Sequence, residues 1–279
     1  MTEGNRTLIT LTTDFGMADG YVGVMKGVIL GINRDVPIVD LAHDIQPQSV
    51  LDAAYILRRS YEYFPSGTIH VVVVDPGVGT ERRAIAAGSD RATFVAPDNG
   101  VLTYVLEHLR AKREAVQAVH LTNRTYWLPE VSDVFHGRDL FAPVAAHLSL
   151  GLSLDHLGPA IDDLVTLPPP YLERRPESLV GQVTHVDHFG NVLTNLPRLD
   201  VQSLGPSVTV HLGQLQIRGL QRAFAYGEKH QPTAYIDSSG HLAVAVVNGS
   251  AQDRLECRIG DRVEVRASHS VSLCHREAE

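Results

Sequence analysis

The run TIHVVVVD, residues Thr68–Asp75, constrains the fold of this chain most. Four consecutive valines leave no polar face for water, so a strand here must be buried on both sides. Such strands belong to parallel sheets with helices packed above and below. The flanking sequence agrees. Strands are expected at residues 7–12 (TLITLT), at 36–45 (VPIVDLAHDI) and at 92–100 (ATFVAPDNG). Between them lie stretches of helical period. In residues 19–33, Val22, Met25, Val28 and Ile29 share a face. Residues 49–64 open with Ser49 as N-cap and Asp52 three positions on. A further helix is expected at 101–109.

Beyond residue 160 this alternation stops. Leu167–Ser178, LPPPYLERRPES, is rich in proline and mixed charge and reads as an exposed linker. After it come short strands between Gly, Asn and Asp turns, the pattern of a compact barrel or sandwich. The expected fold is an N-terminal α/β domain with a largely parallel central sheet over residues 1–166. The linker is 167–178, and a C-terminal all-β, barrel-like domain covers 179–279.

Composition narrows the function classes. A net charge of -8, a pI near 5.9 and the absence of a long Lys/Arg run argue against a nucleic-acid surface. No apolar stretch reaches the ~18 residues of a membrane span. The opening residues lack the layout of a signal peptide. Cys257 and Cys274 sit in no paired metal-ligand spacing. The spacing leaves a disulfide between them open, but a reducing cytoplasm is the simpler expectation.

In a parallel sheet, ligands gather at the carboxyl ends of the strands. Asp14, Asp75 and Asp98 with Asn99 stand at such ends. In TTDFGMADGY (Thr12–Tyr21), Asp14 is placed either to accept hydrogen bonds from vicinal hydroxyls or to cap a helix. In DPGVGTERR, Pro76 and the glycines form a turn that returns Arg82 toward Asp75. This matches no phosphate-loop pattern, and an acid at its mouth repels phosphate. An Asp75–Arg82 pair serves either to hold a ligand or to tie down the turn. In VFHGRDLFAPVAAHL, His136, Arg138 and Asp139 precede a helix, and Gly137 leaves room beside the imidazole. In VDHFGNVLTN, Phe189 suits stacking on a purine and Asn191 suits its edge nitrogens, unless they form an ordinary aromatic turn. A divalent site from His43, Asp44, Asp75, His136 and Asp139 is a further alternative. It lacks any familiar ligand spacing, and Arg82 would be an unwelcome cation there.

Together these segments resemble the S-adenosylmethionine hydrolases that form adenosine, the SAM hydroxide adenosyltransferase family, relatives of bacterial fluorinase and chlorinase. TTDFGMADGYVGVMKGVI, VVVVDPGVGTERRAI, FVAPDNGVLTYVLE, FHGRDLFAPVAAHL and VDHFGNVLTN occur in family order from about Leu8 to Val265. The resemblance implies a water-positioning triad at Asp75, Arg82 and His136, and a ribose-binding acid at Asp14. It places Asp19 and Tyr21 at the methionine end of the substrate. Asp187, Phe189 and Asn191 match a segment that meets methionine and adenine from a neighbouring subunit. Ser238, Ser239 and Asn248 fall where further substrate contacts are expected, although the family's Asn-x-Gly pattern puts Val247 at its Asn. The resemblance also implies a homotrimer with active sites between subunits, and S-adenosyl-L-methionine as substrate with no cofactor or metal. Two alternatives stay open: a halogenase forming 5′-halo-adenosine, and a non-catalytic protein that binds adenosine or S-adenosylmethionine. The halogenases carry Tyr where this chain has Asp75, Ser where it has Gly137, and an insertion before their APNNG-like segment. All three differences favour water over halide.

Overall fold

A computed structural model describes residues 7–268. The chain divides into two compact units, Met1–Leu167 and Pro168–Glu279. In the first unit the elements follow in the order β1 (Ile9–Thr13), α1 (Tyr21–Ile32), β2 (Ile38–Ala42), α2 (Val50–Ser60), β3 (Thr68–Val73), β4 (Ala84–Gly88), β5 (Ala92–Pro97), α3 (Thr103–Ala111), β6 (Gln117–His120) and α4 (Ala142–Ser149). The six strands form one sheet in the order β2-β1-β3-β5-β4-β6. Pairings β1–β2, β1–β3 and β3–β5 are parallel, whereas β4 runs antiparallel to both β5 and β6.

Strand β3 is covered on both faces, as its sequence demands. Val71 and Val73 enter one core with Val22, Met25 and Ile29 of α1 and Val144 and Ala145 of α4. Val72 and the following Val74 enter a second core with Leu57 of α2 and Val105 and Leu109 of α3. Period-two alternation along the strand therefore feeds two helical layers. Central β1 is also fully buried, so its alternating threonines do not face water: Thr10 and Thr12 are both 0% exposed. The Thr10 hydroxyl is bonded to buried His70 Nδ1 at 2.8 Å.

Strands β4 and β6 are additional to those read from the sequence. Ala84–Gly88 is AIAAG, and alanine carries little strand preference. Its backbone is nonetheless held on both sides, by β5 and β6. This strand matters for the site. Because Ala84 pairs with Pro97, the start of β4 lies at the edge where β3 and β5 end. Arg82 and Arg83 are thereby delivered to the carboxyl edge.

The helix expected after His136, Arg138 and Asp139 is α4, and it does not follow them directly. Gly137–Phe141 form a π-turn, closed by the Ala142 N–H on the Gly137 carbonyl, and α4 follows. Pro143 explains the change: it has no N–H for the Asp139 carbonyl. That carbonyl accepts from Leu128 N–H at 2.9 Å instead. Such widened turns recur at functional sites.

The second unit contains β7 (Glu173–Arg174), β8 (Ser178–Val186), β9 (Val192–Pro197), α5 (Arg198–Ser203), β10 (Val208–Leu212), β11 (Leu215–Arg218), β12 (Pro232–Ile236), β13 (His241–Val246), α6 (Ala251–Leu255) and β14 (Arg262–Ala267). Its sheet runs β11-β10-β14-β8-β9-β13-β12, with β7 on β8. Long β8 pairs with β14 through its first half and with β9 through its second. Just beyond β11, Gln221 bridges Tyr235 of β12, so the sheet curls into a nearly closed barrel. Inside lie Val183, Val192, Val210, Val244 and Val265. The proline-rich segment is not wholly free of structure, because Glu173 and Arg174 pair with Val180 and Leu179. Cys257 is buried in this core as a free thiol, and Cys274 lies outside the described residues.

Buried His70, stacked on Phe94 with ring centroids 5.2 Å apart, has its pKa pushed down to about 3 by burial and by the Arg91 charge. The folded chain refuses a proton there that the unfolded chain accepts. Stability should therefore fall as pH drops from the ordinary histidine range toward 3. Urea titrations of wild type and His70→Gln should show a shallower loss of midpoint with acid in the variant.

Candidate active site

Three strands of the first unit end on polar residues at one edge. Asp14 follows β1, Asp75 follows β3 by two residues, and Asp98 follows β5. Asp75 is met by Arg82, whose Nε lies 3.0 and 2.9 Å from the two carboxylate oxygens, with Nη2 also bonded. Both side chains are nearly withdrawn from water, Arg82 at 10% and Asp75 at 5% exposure. The guanidinium also lies 5.4 Å over the Phe141 ring. The turn between them depends on Gly79, whose φ is +76°. A Cβ at that position would come within 2.3 Å of the Asp133 carbonyl, so no side chain fits.

Arg82 Nη2 also lies 2.7 Å from His136 Nδ1. A guanidinium only donates, so Nδ1 accepts, and the bonding pattern assigns the proton of the neutral ring to Nε2. Burial and the Arg82 charge hold the His136 pKa below the ordinary histidine range, outweighing Asp75, Asp139 and Asp133. The three side chains named from the sequence thus form one bonded group, with Arg82 at its centre.

An aromatic wall flanks it. Phe15, Tyr21 and Phe135 pack with centroids 5.2–5.9 Å apart. Gly137 lies against this wall. A Cβ there would meet Met25 Sδ at 3.2 Å, Phe135 at 3.3 Å and Phe15 at 3.4 Å, so even serine would press on the packing. Half-buried Asp14 accepts from Gln48 N–H through Oδ2 at 2.7 Å. Asp19 is exposed on the loop before α1. Neither Gln48, whose backbone is the donor, nor the wall residues Phe15 and Phe135 were singled out from sequence. Only the adjacency of Phe135 to His136 hinted at a role.

Asp98 is a different case. It accepts from Arg83 Nε at 2.8 Å and from Val165 N–H at 2.9 Å, so both oxygens tie down the fold. Asn99 likewise donates to the Val74 carbonyl at 2.9 Å. Four of the five donors considered for a metal are engaged, His43 by Thr13 and Asp40, Asp75 and His136 by Arg82, and Asp139 by Arg138; the fifth is Asp44. Among the described residues no group of three or more His, Cys, Asp or Glu side chains is placed to hold a metal ion.

A cavity of about 400 Å³ is lined by Arg82 and His136 together with Ala84, His120, Trp127 and Asp133. A larger recess of about 970 Å³ lies at the opposite edge, among Gly67, Gly88 and Thr93. Its Arg91 is engaged by the Glu62 and Phe64 carbonyls. Asp14, Asp75 and the Arg82–His136 group are at the first edge, and the candidate site is placed there.

In the second unit, Asp187, Phe189 and Asn191 form the β8–β9 turn. Asp187 Oδ1 accepts from the Phe189 and Asn191 backbone N–H groups, and Asn191 Nδ2 donates to Oδ2 at 2.8 Å. The turn holds the Phe189 ring 75% exposed. It lies by the end of β13, since Val192 just after it pairs with Val244, and Gln252 N–H of α6 bonds the Gly190 carbonyl. Exposed Asn248 is near that end, in left-handed conformation with φ 58°. Ser238 and Ser239 are not brought to it. They lie in the β12–β13 turn, at the other end of a strand that spans ~20 Å at ~3.4 Å per residue. The Ser239 hydroxyl is bonded to Asp237 at 2.7 Å, while Ser238 is exposed.

Family models agree with both units. The SAM hydroxide adenosyltransferase N-terminal domain matches residues 9–158, and its C-terminal domain matches 181–264. The chain belongs to the SAM hydroxide adenosyltransferase family. Its relatives include an (R)-S-adenosyl-L-methionine hydrolase of Salinispora tropica, 39% identical over 269 residues, covering 93% of this chain and 97% of that protein. A fluorinase of Nocardia brasiliensis is more distant, at 29% identity over 95% of this chain and 98% of that protein. An uncharacterized conserved protein from Thermotoga maritima has the same fold in a crystal structure, with TM-score 0.85 and 37% identity, covering 93% of this chain and 100% of that one. In this family member, as in any protein, a histidine beside a buried guanidinium should resist protonation. NMR titration should find His136 neutral to below the ordinary histidine range, and Arg82→Met should raise its pKa.

Proposed function

We propose that the protein hydrolyses S-adenosyl-L-methionine to adenosine and L-methionine, by in-line attack of one positioned water on the ribose C5′. One observation carries this reading: Arg82 is bonded at once to Asp75 and His136, at the strand-end edge that also bears Asp14. Its setting in a family with named S-adenosylmethionine hydrolases supplies the substrate class.

The leaving group is a neutral thioether, so the reaction needs no acid there. It needs an oriented nucleophile, and orientation alone lowers such barriers by about 7–11 kcal/mol. Arg82 and the Nε2–H of neutral His136 are donors and hold the water oxygen. His136 Nδ1 is occupied by Arg82, so the imidazole orients rather than accepts. Asp75 Oδ2 accepts from both Arg82 Nε and Nη2, but Oδ1 accepts from Nε alone and keeps a further lone pair, which makes Asp75 the group that takes a water proton. Charge balances: sulfonium and water give neutral thioether, adenosine and one released proton. The carboxylate also explains the choice of nucleophile. A nearly buried anion at this point repels halide and accepts from water.

In this reading Asp14 grips the ribose hydroxyls, and Asp19 and Tyr21 face the methionine end. Asp187, Phe189, Asn191 and Asn248 complete the site from a neighbouring copy in a homotrimer, whereas Ser238 and Ser239, at the other end of β13, have no place in it. Exposed apolar residues beside the site support such a neighbour: Met17 is 60% exposed, Tyr21 49%, Val24 44% and Val134 78%. No cofactor or metal takes part, and the enzyme works in the cytoplasm, a setting that the cysteine usage favours. No helix among the described residues is long and apolar enough to cross a membrane.

Chromatography after incubation with S-adenosylmethionine should show adenosine and methionine in equal amounts, with or without chelator. Added fluoride or chloride should yield no 5′-halo-adenosine. Arg82→Ala and Asp75→Ala should each lower kcat by roughly 10²–10⁴ while adenosine still binds; unchanged turnover would refute the triad. For the shared site, Arg82→Ala and Asn191→Ala chains, each inactive alone, should recover about a quarter of wild-type activity after subunit exchange, as random mixing in a cyclic trimer gives. No recovery would place each site within one chain.

A further inference from the structure

Behind Asp14 a second polar chain runs from the surface to the backbone of the ligand loop. Lys26 Nζ donates to Asp40 Oδ2 at 2.6 Å. Asp40 Oδ1 lies 2.9 Å from His43 Nε2. His43 Nδ1 lies 2.9 Å from Thr13 Oγ1, and Thr13 Oγ1 lies 3.2 Å from the N–H of Phe15. Thr13 is 0% exposed and His43 5%. A second strut comes from the same segment, where Gly16 N–H donates to the His43 carbonyl at 2.8 Å.

The direction of every bond follows from the chemistry at the two ends. Burial would raise the Asp40 pKa, but hydrogen bonds from Lys26 and His43 and the Lys26 charge hold it low, so Asp40 only accepts. His43 therefore donates from Nε2, and because Thr13 Oγ1 already accepts from Phe15 N–H, the bonding pattern assigns the Nε2–H tautomer with a lone pair at Nδ1. The Thr13 hydroxyl donates into that lone pair and keeps its oxygen free for Phe15 N–H. The order Thr, His, Asp matches that of a nucleophilic triad, but Thr13 is sealed from solvent and its hydroxyl is engaged on both sides. It is no nucleophile.

What the chain does is fix the residue between its last two members. Thr13 and Phe15 bracket Asp14, and the two struts from His43 hold Phe15 and Gly16. With Gln48 N–H on Oδ2, the Asp14 carboxylate is held in one orientation, and Oδ1 has no hydrogen-bond partner among the described residues. A carboxylate that must accept two hydrogen bonds from adjacent hydroxyls gains from such preorganisation, because misdirection by even ~1 Å forfeits much of the benefit. We propose that Thr13, His43 and Asp40 are positioning residues that aim Asp14 at a vicinal diol. The inference rests on the reading of Asp14 as the ribose-binding acid and adds to it the device that orients the acid.

Calorimetry on the full-length protein with adenosine and with 2′,3′-dideoxyadenosine tests this without turnover. Wild type should bind adenosine more tightly. Thr13→Val keeps the side-chain shape but removes the hydroxyl; it should weaken adenosine by about tenfold, the scale of one hydrogen bond to a charged group, and leave the dideoxy compound within about twofold. Thr13→Ser restores the hydroxyl and should restore the preference. Asp40→Ala, at the outer end of the chain where folding tolerates change, should shift the ratio in the same direction. Equal losses for both ligands, or an unchanged ratio in Thr13→Val and Asp40→Ala, would overturn the relay while leaving Asp14 in its role. A wild type that binds both ligands equally would overturn the ribose reading and the relay with it.

Discussion

One guanidinium organises the reactive edge of this protein. Arg82 is permanently charged and almost out of water, which is tolerable only where its donors are matched. Asp75 supplies the counter-charge, His136 takes a further N–H, and Phe141 lies beneath the plane. Each partner comes from a different part of the chain, so satisfying one cation draws the end of β3, the start of β4 and the π-turn before α4 to one point. Remove the charge and Asp75 is left buried and unpaired, while the imidazole loses the bond that sets its tautomer.

The backbone is built around that meeting. A strand running against its neighbours is needed to return Arg82 to the carboxyl edge, and β4 is that strand. A glycine is needed where the turn passes the Asp133 carbonyl, and Gly79 stands there. On the other side, the small Gly137 lets the aromatic wall close up beside His136. A fluorinase relative aligns with 95% of this chain at 29% identity.

Much of this was legible in the residues. The valine run announced a sheet covered on both faces, and acids at strand ends marked the reactive edge. Asp75, Arg82 and His136 could be named because Gly-rich turns and an element boundary flanked them. Other parts were hidden for physical reasons. β4 is alanine-rich, and its strand state comes from pairing on both sides rather than from its own preference. The π-turn follows from a carbonyl that Pro143 cannot serve and Leu128 does, a long-range bond that local periodicity does not show. Asp98 looked like Asp14 and Asp75 in sequence, yet Arg83 and Val165 occupy it. Ser238 and Ser239 looked close to Asn248 in the chain, but an extended strand holds them apart. The relay behind Asp14 was invisible because His43 stood next to Asp44 and invited a metal reading.

The claim on which the rest depends is that the Asp75–Arg82–His136 group holds the oxygen that ends up on C5′. A crystal structure with adenosine bound is the most direct measurement. The account predicts the 5′-oxygen within about 2.7–3.2 Å of both the Arg82 guanidinium and His136 Nε2, with Asp14 on the ribose hydroxyls. A 5′-oxygen bonded to neither side chain, with the ribose turned away from Asp14, would contradict it.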